Sequence, residues 1–365
     1  MKTEGTPPKV LVALSGGIDS SVAATLLLES GWEVTGLHFR LPAKAQEQKE
    51  RYDAAQRIAK YLDIPLILAD RADIFIRRII QPFVASYKNG LTPNPCVLCN
   101  EVLKFQELLI LARQQGIPHI ATGHYASVRE LKTGFFSLWR GKDRTKDQSY
   151  FLHRLNQAQL AATVFPLESL SKEETRQVAR KKGLPKPLEK ESQEICFLSG
   201  RDYRHFLEEK HGDFKLEGGS IVTKKGEKVG EHAGIHRYTI GQRHGLAIAS
   251  PRPYYVLALV PQRSEVVVGR KEDVFSSRID VDGFCWAGIA RAPGSKSRLS
   301  AQVRYRHQEA PGTLEVKSSG KAHYVFDEPQ WAITPGQALV CYDGNRVVGG
   351  GWIARSLDMS YPHGI

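Results

Sequence analysis

Three groups of residues have the types and spacing that chemistry needs: Ser15-Gly16-Gly17-Ile18-Asp19-Ser20, the pair Cys96-x-x-Cys99, and the isolated Cys196. In the first, two adjacent glycines let the backbone turn tightly and come close to a ligand, and the amides opening the next helix point into the same space. The hydroxyls of Ser15 and Ser20 add donors, and Asp19 is placed to hold Mg²⁺ against phosphates. The spacing suits a nucleotide-phosphate cradle; the plain alternative is a glycine-rich turn without a ligand. The cysteine pair fits a redox couple, half of a metal site, or two structural thiols. A tetrahedral zinc site wants four ligands, and no second C-x-x-C is present.

The elements around the first group read as a βαβ unit. Val10 to Leu14 is a buried strand, Ser21 to Glu29 a helix ending at Ser30-Gly31, and Trp32 to Phe39 the next strand, with Phe39 at its carboxyl end for adenine or for core packing. No Lys follows the second glycine, so this is not the loop of γ-phosphate-transferring enzymes. SGGIDS resembles the PP-loop of ATP pyrophosphatases, which cleave ATP between the α and β phosphates and adenylate a substrate. Downstream, Ala43 to Tyr61 reads as a helix, Leu66 to Ala69 as a strand, and Ile74 to Tyr87 as a helix with a break at Pro82. Pro93 and Pro95 predict a stiff extended loop, Gly90 to Asn100, as the mount of Cys96 and Cys99, ahead of a helix from Glu101 to Gln114. His119 to Thr122 is a further strand, and Gly123 after it lets a nucleotide approach the backbone. Phe135 to Trp139 is a strand, Gly141 to Ser149 a charged loop, and Ser171 with Glu174 a capping box opening a helix to Lys182. Glu191 to Ser199 carries Cys196, and Asp202 to Lys210 is a short helix.

With 365 residues the chain has room for two or three domains. Near Phe214 the texture changes to short alternating strands separated by turns such as Lys225-Gly226 and Asp343-Gly344-Asn345. The expected architecture is α/β, a doubly wound, mostly parallel sheet, followed by two small β-rich domains, the last a β-barrel. The expected divisions are residues 1–210, 211–275 and 276–365. The formal net charge is +12, which asks for a polyanionic partner, nucleic acid first. No apolar run approaches the roughly 20 residues of a membrane span, and MKTEGTPPK lacks a signal-peptide core, so a cytoplasmic protein without membrane contact is expected. Five cysteines, an odd number in so long a chain, argue against a secreted disulfide framework. Cys285 and Cys341 read as packing residues, and His236 and Tyr238 as turn packing ahead of RNA contact.

Taken together, VALSGGIDSSVAATLL, TPNPCVLCNEVLKF, ATGHYA, KDQSYFL, ESQEICF, YTIGQRHGL, VRYRHQ and PGQALVCYDG resemble the tRNA-specific 2-thiouridylases, which put sulfur on the wobble uridine of certain tRNAs. The segments span nearly the whole chain in the family's order. The resemblance implies ATP contacts at Ala13, Leu14, Ser15, Gly16, Gly17, Ile18, Asp19, Ser20, Phe39 and Gly123. It places Asn94, Pro95 and Cys96 against the target base, Cys99 as nucleophile and Cys196 as the persulfide carrier. It sets His124, Lys146, Asp147, Gln148, Arg304, Tyr305 and Gln337 against tRNA. The implied partners are glutamate, glutamine and lysine tRNAs and a sulfur donor, a cysteine desulfurase or sulfur-relay protein; ATP and Mg²⁺ are the implied cofactors.

The implied reaction adenylates the C2 oxygen of uridine and displaces AMP with sulfur, on a base flipped out of its loop. Cys99 then resolves the product by forming a disulfide with Cys196. Many family members carry Asp, a candidate general acid or base, where this chain has Cys96. A thiol there opens a second reading, with Cys96, Cys99 and Cys196 as ligands of a [4Fe–4S] cluster. Two further readings are a PP-loop amidotransferase or ligase acting on a small molecule, and an RNA-binding protein with a degenerate ATP site.

Overall fold

The structure, a computed structural model, describes residues 6–186, 195–210, 217–317 and 320–356. The first four residues of ESQEICF and the change of texture near Phe214 lie outside them. Val10, Leu11 and Val12 are fully buried in β1 (Lys9–Ala13), as expected of a strand covered on both faces. The helix α1 (Ile18–Glu29) returns the chain to β2 (Glu33–Arg40), and α2 (Ala45–Tyr61) leads to β3 (Leu66–Asp70). The parallel sheet runs β3, β2, β1, His119–Ala121, Thr163–Val164. The chain builds outward from β1 to β3 and then crosses to the other side of β1. That reversal leaves a crevice at the carboxyl ends of β1 and His119–Ala121, the place where open α/β sheets take ligands.

Two helical stretches depart from expectation, both at prolines. The helix does not break at Pro82: it runs from residue 72 to 88 through a π-helical turn, Ile76–Ile80, with Pro82 in the first turn of Gln81–Lys88. A π turn just upstream shifts the bonding away from the i−4 partner that a proline cannot use. The expected extended loop is likewise cut short, because Pro95–Cys99 is helical with Pro95 at its first position and Asn94 as N-cap (φ −112°, ψ 89°). There the missing N–H costs nothing and the fixed φ favours the turn. The helix continues through a π segment, Asn100–Phe105, into Gln106–Gln114.

The β-rich remainder makes two sheets. Gly219–Thr223, Lys228–His232, Tyr255–Val260 and Glu265–Gly269 form one of four strands. Phe275–Trp286, Ala322–Trp331, Ala310–Val316, Lys296–Gln302, Ala338–Asp343 and Arg346–Ser356 follow one another round a closed antiparallel barrel, the first pairing with the last. Val281, Leu299, Leu314, Tyr324, Leu339 and Cys341 fill it. Along Phe275–Trp286, register shifts at Asp280/Val281 and Asp282/Cys285 break the plain strand alternation. The strand expected at Phe135–Trp139 is found at Phe136–Arg140, paired with Ala126–Glu130 as a hairpin. This hairpin leaves the parallel sheet and joins the barrel's edge at Trp139 and Arg346.

Candidate active site

The turn from β1 to α1 is closed by its own serines. Ser15 N–H donates to Ser20 Oγ (3.2 Å), Gly17 N–H to Ser15 Oγ (3.3 Å), and the Ser20 hydroxyl to Gly17 O (3.0 Å). Gly16 has φ +80°, and a Cβ there would stand 2.7 Å from Ala54 Cβ. Gly123 is closely packed: a Cβ on it would lie 2.6 Å from Asp19 C and 2.7 Å from Ser20 N. Its lack of side chain lets the start of α1 close against the neighbouring strand's end, and so sets the cradle's shape.

Beside this turn lies a cavity of about 410 Å³. It is lined by Ala13, Leu14 and Ser15, by His38 and Phe39 of β2, by Tyr52 of α2, and by Lys104. Phe39 lines the cavity and also packs on the core. Burial lowers the pKa of His38, whose Nδ1 meets Leu14 O at 2.9 Å. A mainly apolar slot at the carboxyl ends of two parallel strands, with a glycine-rich turn and helix N-terminus at its mouth, fits an adenine nucleotide.

Asp19 is held rather than free. Lys172 Nζ donates to Oδ1 (2.7 Å) and Oδ2 (2.8 Å), and the Tyr125 hydroxyl to Oδ1 (2.8 Å). Of the roughly four lone-pair positions of a carboxylate, these bonds leave one, on Oδ2. The group therefore fits a Mg²⁺ ion as a one-oxygen ligand, not as a chelate.

Cys96 and Cys99 ride one helical turn. Burial pushes the Cys96 thiol up to about 11 and the Cys99 thiol up to about 12; Lys104 opposes the rise and Cys196 adds to it. Cys196 opens a short 3₁₀ turn, Cys196–Leu198, and is exposed. Phe197 and Leu198 behind it pack in the same apolar cluster as Cys99. All five cysteines are free thiols. Among the described residues no group of three His, Cys, Asp or Glu side chains is gathered closely enough to hold a metal ion. Cys341 is fully buried in the barrel and Cys285 is bonded to Gly350 O and His153 O. His236 and Tyr238 are buried as well.

The residues expected to meet tRNA divide in two. Around buried Tyr150 they converge: its hydroxyl donates to Ala338 O (2.9 Å). Gln337 Nε2 donates to Thr92 O (2.9 Å), and Tyr305 packs on Phe151 with ring centroids 4.4 Å apart. Arg304, half-buried beside them, points its guanidinium at Trp331 O and Ala332 O. On the other side, Lys146, Asp147 and Gln148 lie on the strap 141–149. Asp147 is buried, accepting from Gly141 N–H (3.1 Å) and the Ser149 hydroxyl (2.8 Å), so it shapes the strap from within. His124 is also buried, its Nδ1 on Thr122 Oγ1 at 2.8 Å, and burial holds its pKa well below the usual histidine value. Sequence reasoning missed Lys104, Tyr125, Tyr150 and Lys172. All but Lys172 sit inside the quoted motifs, and Lys172 directly follows the capping residue Ser171.

Three family models match the chain: "tRNA methyl transferase HUP domain" over residues 8–200, "tRNA methyl transferase PRC-barrel domain" over 204–270, and "Aminomethyltransferase beta-barrel domain" over 276–353. The chain is 44% identical to the tRNA-specific 2-thiouridylase MnmA of Syntrophotalea carbinolica, over 94% of this chain and 98% of that one. It is 45% identical to the protein of the same name from Moorella thermoacetica, again over 94% and 98%. A solved structure, the U34-tRNA thiolase NcsA from Methanococcus maripaludis with its [4Fe-4S] cluster, is 18% identical with a TM-score of 0.34, covering 55% of this chain and 63% of that one.

Proposed function

Since this chain belongs to the tRNA-specific 2-thiouridylase family, we propose that it thiolates C2 of the wobble uridine, using ATP to activate the oxygen and Cys196 to deliver sulfur. The observation that carries this reading is the order of parts: a nucleotide-sized cavity with a PP-loop at its mouth, buried Cys99 clustered with the cavity-lining Leu103, and exposed Cys196 packed through Phe197 on the same cluster.

The uridine C2 oxygen attacks the α-phosphate held at Ser15 to Ser20, the bond to the β-phosphate breaks, and pyrophosphate leaves. Helix amides and the exposed Ser15 hydroxyl face the anion, and Mg²⁺ on Asp19 Oδ2 would supply further charge neutralisation. Exposure suits Cys196 to take a sulfur atom from a donor protein as a persulfide. The terminal sulfur attacks C2, AMP departs, and uridine is left joined through two sulfurs to Cys196. Cys99 then attacks Cys196 Sγ, which releases 2-thiouridine and leaves a Cys99 to Cys196 disulfide for a dithiol reductant to reopen. Lys104, lining the cavity near Cys96 and Cys99, offsets negative charge on sulfur and on the departing phosphate. Asn94, at the N-cap of the Pro95–Cys99 turn, and Gln337, bonded to Thr92, border the place for the flipped base. Glutamate, glutamine and lysine tRNAs are the proposed acceptors, and the excess of basic residues suits them.

The test is incubation with ATP, sulfide or a persulfide donor, and unmodified tRNA. Production of 2-thiouridine with AMP is expected, with Cys196→Ser losing donor-driven transfer while tRNA binding stays nearly intact. Pyrophosphate release that needs no tRNA would instead indicate a small-molecule ligase. Iron analysis after anaerobic purification separates the sulfur routes, and activity that tracks iron content would overturn the persulfide.

A further inference from the structure

The carboxylate that ends the phosphate loop and the strap expected to meet tRNA are held by the same two residues. Lys172 approaches Asp19 from behind: its side chain is 8% exposed against 33% for Asp19, so the ammonium is enclosed while the carboxylate keeps an open face. A bare Asp19 would repel a polyphosphate; the buried ammonium cancels that charge, and the Tyr125 hydroxyl, 3.0 Å from Thr175 Oγ1, fixes the carboxylate's angle. Tyr125 also grips the strap at its backbone, donating from N to Gln148 Oε1 (3.0 Å) and accepting at O from Gln148 N–H (2.9 Å). Lys172 does likewise, its backbone N–H donating to Asp143 Oδ2 (3.0 Å). Gly141 presses on the same place, where a Cβ would stand 2.9 Å from Tyr125 C.

We propose that Asp19, Lys172 and Tyr125 form a clasp that couples the ATP site to the tRNA site, so that tRNA seated on Lys146 to Gln148 tightens the phosphate loop on its nucleotide. The proposal rests on the functional reading above. Lys172 and Tyr125 act as positioning residues through Asp19, and by linkage the nucleotide tightens tRNA by the same factor.

The test measures equilibrium binding of an ATP analogue with a methylene bridge between its α and β phosphates, with Mg²⁺, with and without unmodified tRNA, on the full chain. For the unaltered protein tRNA tightens the analogue about tenfold, within the usual range of allosteric couplings. Tyr125→Phe, which deletes one hydroxyl, and Lys172→Met each reduce that tightening below about twofold, while affinity for tRNA alone holds within about twofold. Lys172→Arg restores part of the coupling, an outcome that a loss of folding would not give. Equal tightening in all variants, or none in the unaltered protein although both ligands bind, overturns the clasp alone. Failure of the unaltered protein to bind the analogue or tRNA overturns the functional reading, and the clasp with it.

Discussion

A sulfur nucleophile works as its anion, and the cysteines here differ in how readily they can form one. Burial, the largest cause, holds Cys96 near 11 and Cys99 near 12, so both rest as neutral thiols at neutral pH. Cys196 stands in the open. Iodoacetamide at about pH 8 is therefore expected to label Cys196 first and Cys96 and Cys99 at least about tenfold more slowly, by peptide mass analysis. Equal rates at the three would remove the division between carrier and resolving thiol. A thiol held near 11 is also a poor general acid or base at neutral pH, which weighs against Cys96 taking over an aspartate's role. That conclusion depends on burial, which residue types do not reveal.

Among the elements, the segments next to the chemistry are those whose reading changed. Pro95 looked like a helix breaker and is a helix opener, because the first position of a helix needs no N–H. Cys96 and Cys99 consequently lie on one turn of helix, at a fixed spacing. Gly123 was legible as a position needing close approach, and the structure adds one such approach that the sequence does not show, by the backbone of α1. Gly123→Ala is expected to push Asp19 and Ser20 aside and to weaken ATP binding by about tenfold or more, with a smaller change in affinity for tRNA, since a backbone clash has no flexible side chain to relax it. A titration showing unchanged nucleotide affinity would mean that the cradle tolerates the shift.

At the scale of the whole molecule, the parallel-sheet domain and the barrel are joined along a polar seam. Gln337 bonds Thr92, Tyr150 bonds Ala338, and Arg140 of the hairpin bonds Glu309 at 2.6 Å with its guanidinium over the Tyr342 ring. His153 is buried at this seam, with Nδ1 on Tyr150 O and no partner for Nε2 among the described residues. Burial drives its pKa from 6.5 down to about 3, and burial also lowers His38, His124 and His307. A base whose folded pKa is depressed stabilises the fold fully above its unfolded value, and loses that contribution as pH falls towards the folded one. Stability is thus expected to fall from about pH 6.5 downward, by at most about 1.4 kcal/mol per pH unit for each such histidine. His153→Gln should flatten the slope of unfolding free energy against pH, measured by denaturant titration; an unchanged slope would mean that the other groups carry it.

The sequence by itself determined the PP-loop, the α/β order, the β-rich second half and the family, because these reside in short contiguous patterns: apolar runs, glycine spacing and quoted motifs. Tertiary structure alone decided which side chains meet. Lys172 reaches Asp19 across 153 positions of chain, and Gln337 reaches Thr92 across 245. No local period encodes such contacts; they arise when helices and the barrel close on the sheet. Burial, which sets the thiols of Cys96 and Cys99 apart from Cys196, is decided in the same step.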